Sequence, residues 1–139
     1  MHVFTYGSLM FEPVWQRVVQ GDYASLPAWL HGYVRKCVKS EAYPVVFKGV
    51  SALPVDGMLY LNVHRQDIDL LDEFEGEFYV REPVSVKLAD GSETMAMTYL
   101  LKETYRHIAT DQNWDIENFA RVGIHQFLQQ YRGFLNPRS

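Results

Sequence analysis

Residues 65–76 have the sequence RQDIDLLDEFEG, and this stretch predicts an amphipathic helix. Its apolar residues recur at helical spacing, and Gly76 follows the last of them as a stop signal. On a helical wheel of about 100° per residue, Glu75 lies only about 20° from Ile68, next to Leu71. The Glu75 carboxylate is therefore predicted inside the apolar arc, whereas a polar face is formed by Asp69, Asp72 and Glu73.

An acid in the apolar arc has two interpretations. Burial disfavours a carboxylate and raises its pKa, and a carboxyl group with a pKa near neutral pH is suited to general acid–base catalysis. Alternatively, Glu75 lies in the fraying last turn beside Gly76 and extends into water. The helical pattern alone leaves both interpretations open.

The segments around this helix are mainly strand-like. Residues 26–38 are predicted to form one bent strand with a bend at Gly32, and Asp90-Gly91 predicts a hairpin. Further helices are predicted near residues 13–19 and over residues 114–131, with Gly133 ending the second. The other strands are predicted at 3–6, 43–47, 54–63, 78–88 and 94–101. This pattern favours an α+β fold with a strongly curved or closed small sheet and helices packed outside it.

The composition excludes several classes of protein. The 139 residues fit one domain over 1–139, and 47% hydrophobic and 22% charged residues are typical of a globular chain. With 13 basic and 17 acidic residues and no basic stripe, we expect no nucleic-acid partner. No long apolar run and no basic leader is present, so we expect no membrane association and a cytoplasmic location.

Motif searches indicate no metal and no nucleotide cofactor. The five histidines lack metal-ligand spacing, and no phosphate-binding glycine motif occurs. Ser8 lacks the G-x-S-x-G sequence of serine hydrolases. The single cysteine, Cys37, is interpreted as a buried structural thiol.

A glycine turn follows the first predicted strand, in the sequence Tyr6-Gly7-Ser8-Leu9. The backbone N–H groups of such a turn are free to form an anion-binding nest, which could hold a substrate carboxylate or a developing oxyanion. The alternative is an ordinary strand-to-helix turn, which often contains Gly-Ser.

Several of these segments together resemble one protein family. Tyr6-Gly7-Ser8-Leu9 resembles the YG(S/T)L motif that opens the γ-glutamylcyclotransferase-like proteins, including the AIG2-like group. Three later stretches, in their order along the chain, resemble the second signature of that family: Gly57-Met58-Leu59-Tyr60, Leu71-Asp72-Glu73-Phe74-Glu75-Gly76 and Tyr79-Val80-Arg81. Tyr43-Pro44 resembles a recurrent pair between the two signatures. The resemblance covers residues 3–101.

The resemblance implies a small closed mixed β-barrel with flanking helices and a cavity at one end. It implies that the Tyr6–Leu9 turn binds the α-carboxylate of a γ-glutamyl substrate through backbone N–H groups, and that Glu75 is the general acid/base. Tyr79 lies where the resemblance places aromatic residues beside the cavity, and we expect that Tyr99, on the partner strand of the hairpin, also faces it. The implied reaction is cyclisation of a small γ-glutamyl amine or peptide to 5-oxoproline with release of the amine, without metal or cofactor.

Two features depart from the family pattern. Glu77 adds an acid that either raises the pKa of a neighbouring carboxyl group or points outward. The segment after Thr104, including the helix predicted over 114–131, could cap the barrel, shape the leaving-amine pocket or form a dimer face.

The sequence leaves a second function open, which is a non-catalytic module that retains the cavity and binds a small carboxylate. The leaving amine and the oligomeric state are not determined by these motifs.

Overall fold

The computed structural model describes residues 1–130. In chain order, the strands are β1 (Val3–Thr5), β2 (Ser25–Leu30), β3 (Tyr33–Val38), β4 (Pro44–Lys48), β5 (Val55–Tyr60), β6 (Tyr79–Leu88), β7 (Glu93–Leu101) and β8 (Ala109–Asn113). The helices are α1 (Glu12–Val18), α2 (Arg65–Glu75), α3 (Ile116–Asn118) and α4 (Ile124–Gln130). Short 3₁₀ helices occupy Ser8–Met10 and Glu103–Ile108, and a π-helical turn occupies Phe119–Gly123.

Five strands form a closed barrel in the order β1-β5-β2-β6-β7. The pairs between successive strands in this order are antiparallel, and the parallel contact of Val3 on β1 with Met97 on β7 closes the barrel. The predicted α+β class, with a small closed mixed barrel and flanking helices, is confirmed.

Side chains alternate across β1, as expected for a strand that separates two apolar layers. Phe4 packs with Leu59 inside the barrel, whereas Val3 belongs to the layer between the barrel and the helices. Gly57 allows β5 to approach β1, because a Cβ atom there would lie 2.0 Å from the backbone oxygen of Thr5. The glycine that opens the second signature is therefore required by strand packing.

Helices α1 and α2 cover one side of the barrel. Val14 and Trp15 of α1 pack in the same apolar cluster as Ile68 and Leu71 of α2. The Trp15 ring also stacks on Tyr60 of β5, with 3.6 Å between the ring centroids. Of the helices within residues 1–130, none combines the length and the apolar character needed to cross a membrane.

The prediction of one bent strand over residues 26–38 is wrong. Gly32, with a φ of +85°, turns the chain so that two strands form, and they belong to different sheets. Strand β2 is part of the barrel, whereas β3 is the central strand of a separate sheet with the order β4-β3-β8. In the sequence, a glycine that adopts a left-handed conformation and separates two strands cannot be distinguished from a glycine that bends one strand.

The chain after the barrel also differs from the prediction. Strand β8 was not predicted, and the helix expected over 114–131 begins at Ile116, after the Asp115 carboxylate caps the N–H groups of Glu117 and Asn118. It continues through the π-helical turn into α4. The expected end of this helix, at Tyr131 and Gly133, lies outside the described residues.

Candidate active site

A cavity of about 230 Å³ lies where β1 ends, β6 begins and α2 reaches its C-terminus. It is smaller than the roughly 300–1,000 Å³ typical of ligand pockets, and therefore suits a small substrate. The sequence analysis selected seven candidate site residues, and the structure places all seven in the wall of this one cavity: Tyr6, Gly7, Ser8, Leu9, Glu75, Tyr79 and Tyr99.

The turn after β1 leads directly into a 3₁₀ helix. The N–H of Met10 donates to the Gly7 carbonyl at 3.1 Å, whereas the first N–H groups of a helix, here those of Ser8 and Leu9, have no acceptor within it. Gly7 packs against the Pro44 ring so closely that a Cβ atom would lie 2.8 Å from two of its carbons. Pro44 of the Tyr43-Pro44 pair and the glycine of the turn are thus parts of one packed contact.

Glu75 is the last residue of α2, and Gly76, with a φ of +80°, turns the chain away from the helix axis. Its side chain lies in the cavity wall instead of extending into bulk water. Burial, together with the negative charge of Asp72, raises the pKa of Glu75 to about 8. Among residues 1–130, no group donates a hydrogen bond to this carboxyl. Glu75 as a whole is half-buried, and a carboxyl in a cavity wall without a donor is unusual, because burial normally requires a hydrogen-bond partner.

Three of the tyrosines that line the cavity, Tyr6, Tyr79 and Tyr99, use their hydroxyl groups as structural donors. The Tyr79 hydroxyl donates to the Pro44 carbonyl at 3.1 Å, and the Tyr99 hydroxyl donates to Asp72 at 2.7 Å. The Tyr6 hydroxyl donates to the Tyr99 carbonyl. Burial raises the pKa of both Tyr6 and Tyr99. The rings of Tyr79 and Tyr99 line the cavity, and their hydroxyl groups donate to protein acceptors.

Asp72 connects three elements beside the cavity. It accepts from the Arg81 Nε at 2.9 Å and from the Arg81 Nη2 at 3.3 Å, in addition to the Tyr99 hydroxyl. These bonds tie the last turns of α2 to β6 and β7, and the hydrogen bond to Asp72 raises the pKa of Arg81. Asp72 and Arg81 both belong to the second signature, but the sequence predicts no role for either.

The structure adds residues that the sequence analysis did not select. Phe74, Phe78 and Phe127 line the cavity together with Tyr43. Because Phe127 belongs to α4, the C-terminal helix contributes to the cavity wall. No motif could identify it, since its distance in sequence from the other lining residues is large.

Glu77 is exposed at the cavity wall, where its carboxylate accepts a hydrogen bond from the Tyr105 hydroxyl at 2.9 Å. Cys37 lies outside the cavity and is half-buried, so its prediction as a buried thiol is only partly correct. Its Sγ lies 3.6 Å from the Asn113 carbonyl, and burial raises the pKa of its thiol. Within residues 1–130, no group of three or more His, Cys, Asp or Glu side chains could hold a metal ion.

Comparisons with known proteins agree with the resemblance found in the motifs. The family model described as gamma-glutamyl cyclotransferase, AIG2-like matches residues 3–116. Protein AIG2 C of Arabidopsis thaliana is 30% identical over 96% of this chain and 81% of its own length. The solution structure of an Arabidopsis thaliana protein has a TM-score of 0.71 at 27% identity, covering 96% of this chain and 81% of that chain. A solved gamma-glutamyl cyclotransferase has the same fold, with a TM-score of 0.62 at 21% identity over 73% of this chain and 66% of that chain.

Proposed function

The chain belongs to the gamma-glutamyl cyclotransferase, AIG2-like family, and we propose that it is an enzyme that cyclises a small γ-glutamyl amine or peptide to 5-oxoproline and releases the amine. The observation that carries this proposal is the position of Glu75. Its carboxyl group lines a cavity, and no group among the described residues donates a hydrogen bond to it. The Gly7–Leu9 turn lines the same cavity.

In the proposed mechanism the Gly7–Leu9 turn binds the substrate and Glu75 transfers protons. The free N–H groups of Ser8 and Leu9 bind the α-carboxylate of the γ-glutamyl arm. This anchor holds the α-amino nitrogen near the γ-carbonyl carbon of the same molecule, so that the attack is intramolecular and gains from proximity. The packed contact of Gly7 with Pro44 keeps the turn in one position.

Glu75 transfers the protons that leave the attacking nitrogen during the reaction. Its carboxylate accepts a proton from the α-ammonium group, and the free amine then forms a C–N bond to the γ-carbonyl carbon. The protonated Glu75 gives this proton to the nitrogen of the leaving amine as the original amide C–N bond breaks. The ring nitrogen loses its second proton to the regenerated carboxylate of Glu75, which passes it to the departing amine, so that the amine is released in its protonated form. The products are 5-oxoproline and the amine, and Glu75 returns to its starting state.

The raised pKa of Glu75 suits both halves of this transfer. With a pKa of about 8, the free protein holds Glu75 mainly in its neutral form at pH 7. A substrate ammonium bound beside the carboxyl group favours the ionised form, because opposite charges at close range stabilise each other. We therefore expect kcat/KM to rise with pH by about tenfold per pH unit at low pH and to level off near pH 8, since kcat/KM reports the free enzyme.

The proposal is tested by measuring 5-oxoproline release from a panel of γ-glutamyl amides, amino acids and peptides. Release that shows this pH dependence supports the enzyme. If no γ-glutamyl compound is converted although one binds, the protein is a binding module for small carboxylates. That outcome would contradict the proposed catalytic role of Glu75.

A further inference from the structure

Four aromatic side chains of the cavity come from elements outside the barrel. We call them the aromatic wall: Tyr43, Phe74, Phe78 and Phe127. Phe127 is only 2% exposed, and its ring makes edge contacts with Phe74 and Tyr43, at centroid distances of 6.0 and 6.3 Å. The rings of Tyr43 and Phe74 are therefore both held by the ring of Phe127, whereas Phe78 packs against Tyr105 with 4.7 Å between the ring centroids.

The proposed reaction has so far assigned no part of the substrate to the aromatic wall. The γ-glutamyl arm is a polar group, and the polar groups that would serve it are the N–H groups of the turn and the carboxyl of Glu75. The part of the substrate that extends beyond this arm is the leaving amine. A substrate held by the turn and Glu75 in a cavity of about 230 Å³ must place its remaining atoms against the other lining residues.

We propose that the aromatic wall is the subsite for the leaving amine, that Phe127 is its specificity-determining residue, and that the preferred substrates are γ-glutamyl amides whose amine carries an aromatic or bulky apolar group. This inference rests on the proposed function. Phe127 lies beyond residues 3–116, the part that matches the family model. Specificity for the amine is thus located in the C-terminal helix, apart from the residues that handle the γ-glutamyl arm.

The physical reason is that aromatic rings favour contacts with other rings and with apolar groups over contacts with water. An edge or offset contact between two rings corresponds to roughly a two- to tenfold effect on an equilibrium, beyond the burial of apolar area. Removing one ring from the subsite should therefore change the preference between amines by a similar factor. The binding of the γ-glutamyl arm should not change.

The experiment uses two synthetic substrates that share the γ-glutamyl arm, γ-glutamyl benzylamide and γ-glutamyl methylamide. We expect the wild type to have a kcat/KM at least tenfold higher for the benzylamide. Phe127→Leu keeps an apolar side chain but removes the ring, and it should lower this preference about three- to tenfold, mainly through a higher KM for the benzylamide. The ratio of the two rates is independent of the folded fraction, because both are measured on one preparation.

Phe47→Leu is the matched control, because Phe47 is a buried ring that does not line the cavity. It should leave the preference unchanged. Equal rates with both amides, or a preference that Phe127→Leu leaves intact, would overturn the inference while the proposed function stands. Absence of 5-oxoproline from both amides, while another γ-glutamyl compound is converted, would also overturn this inference alone. Absence of 5-oxoproline from every γ-glutamyl compound tested would overturn the proposed function and this inference with it.

Discussion

Replacing Glu75 by Gln should stabilise the protein at alkaline pH and abolish most of its activity. The amide has nearly the same volume as the carboxyl group but cannot ionise. The carboxyl of Glu75 has a pKa of about 8 in the folded chain, against an ordinary value of 4.5. Glu75 therefore lowers the stability of the folded protein at any pH at which its carboxyl group is ionised.

The size of the effect follows from the difference between these two pKa values. A carboxyl whose pKa is raised by folding stabilises the folded state fully below the unfolded pKa, and this stability is lost as the pH rises through the folded pKa. Between pH 5 and pH 9 the wild type should lose about 4 kcal/mol through Glu75 alone, at roughly 1.4 kcal/mol per pKa unit. The Gln variant should lose none of it. The difference between the two proteins should therefore grow by about 4 kcal/mol over this range.

The assay is denaturant unfolding of the wild type and of Glu75→Gln at several pH values from 5 to 9. Other titrating groups are common to both proteins and cancel in the difference. Glu73→Gln is the matched control, because Glu73 is an exposed acid on the same helix, and it should show no growing difference. The activity of Glu75→Gln should fall by about 10²- to 10⁴-fold, the usual contribution of general acid–base catalysis.

Two results would refute this reasoning separately. If the unfolding free energies of wild type and Glu75→Gln differ by the same amount at pH 5 and pH 9, the carboxyl group is not buried in solution. If Glu75→Gln converts a γ-glutamyl substrate as fast as the wild type, Glu75 does not transfer the proton.

Three further substitutions test the surroundings of Glu75. Gly7→Ala should lower both activity and stability, by about 1–3 kcal/mol in unfolding experiments, because its Cβ would press on the Pro44 ring; unchanged values would show that the turn is not tightly packed. Ser8→Ala should reduce turnover at most about tenfold, and complete loss in a folded protein would instead indicate a serine nucleophile. Asp72→Asn removes the charge that helps to raise the pKa of Glu75, so the rise of kcat/KM should move to lower pH by about one unit; an unmoved profile would contradict the electrostatic argument.

The parts of the fold with a local signal were predictable. Helix α2 has the predicted bounds, Arg65–Glu75, because its apolar spacing and its glycine stop are both encoded within a few residues. The hairpin of β6 and β7 likewise follows from Asp90-Gly91, and Gly91 has a φ of +86°. The closed barrel itself was expected partly from the strand-rich pattern and partly from the family resemblance.

The parts held by distant partners were not predictable. Strand β8 is polar and mostly exposed, so it lacks the alternation of apolar residues that identifies a strand. It is held to β3 by contacts between residues far apart in sequence. One example is the 2.6 Å hydrogen bond that Asn113 of β8 accepts from Lys36 of β3. The separation of β2 and β3 into different sheets was missed for the same reason, since the sheet that a strand joins depends on strands far away in sequence.

The two acids on the apolar side of α2 show why periodicity alone cannot identify a catalytic residue. Asp67, which the sequence analysis did not consider, is 3% exposed. Burial opposes its ionisation, but hydrogen bonds from the Tyr23 hydroxyl and from the backbone N–H groups of Gln20 and Gly21 outweigh burial and lower the pKa of Asp67. This carboxylate is therefore permanently charged at neutral pH and serves to join α2 to the chain after α1.

Glu75 differs from Asp67 in its partners. A helical wheel places both carboxyl groups toward the apolar side, yet the donors that neutralise the cost of burying Asp67 are 44 to 47 residues away and cannot be read from the helix. At Glu75 no such donor is present among the described residues, and the pKa rises to about 8. A group that changes its protonation near neutral pH can exchange a proton with a substrate, whereas one fixed in the charged form cannot. The missing donor, together with the cavity, is what distinguishes the candidate catalytic acid from the structural one.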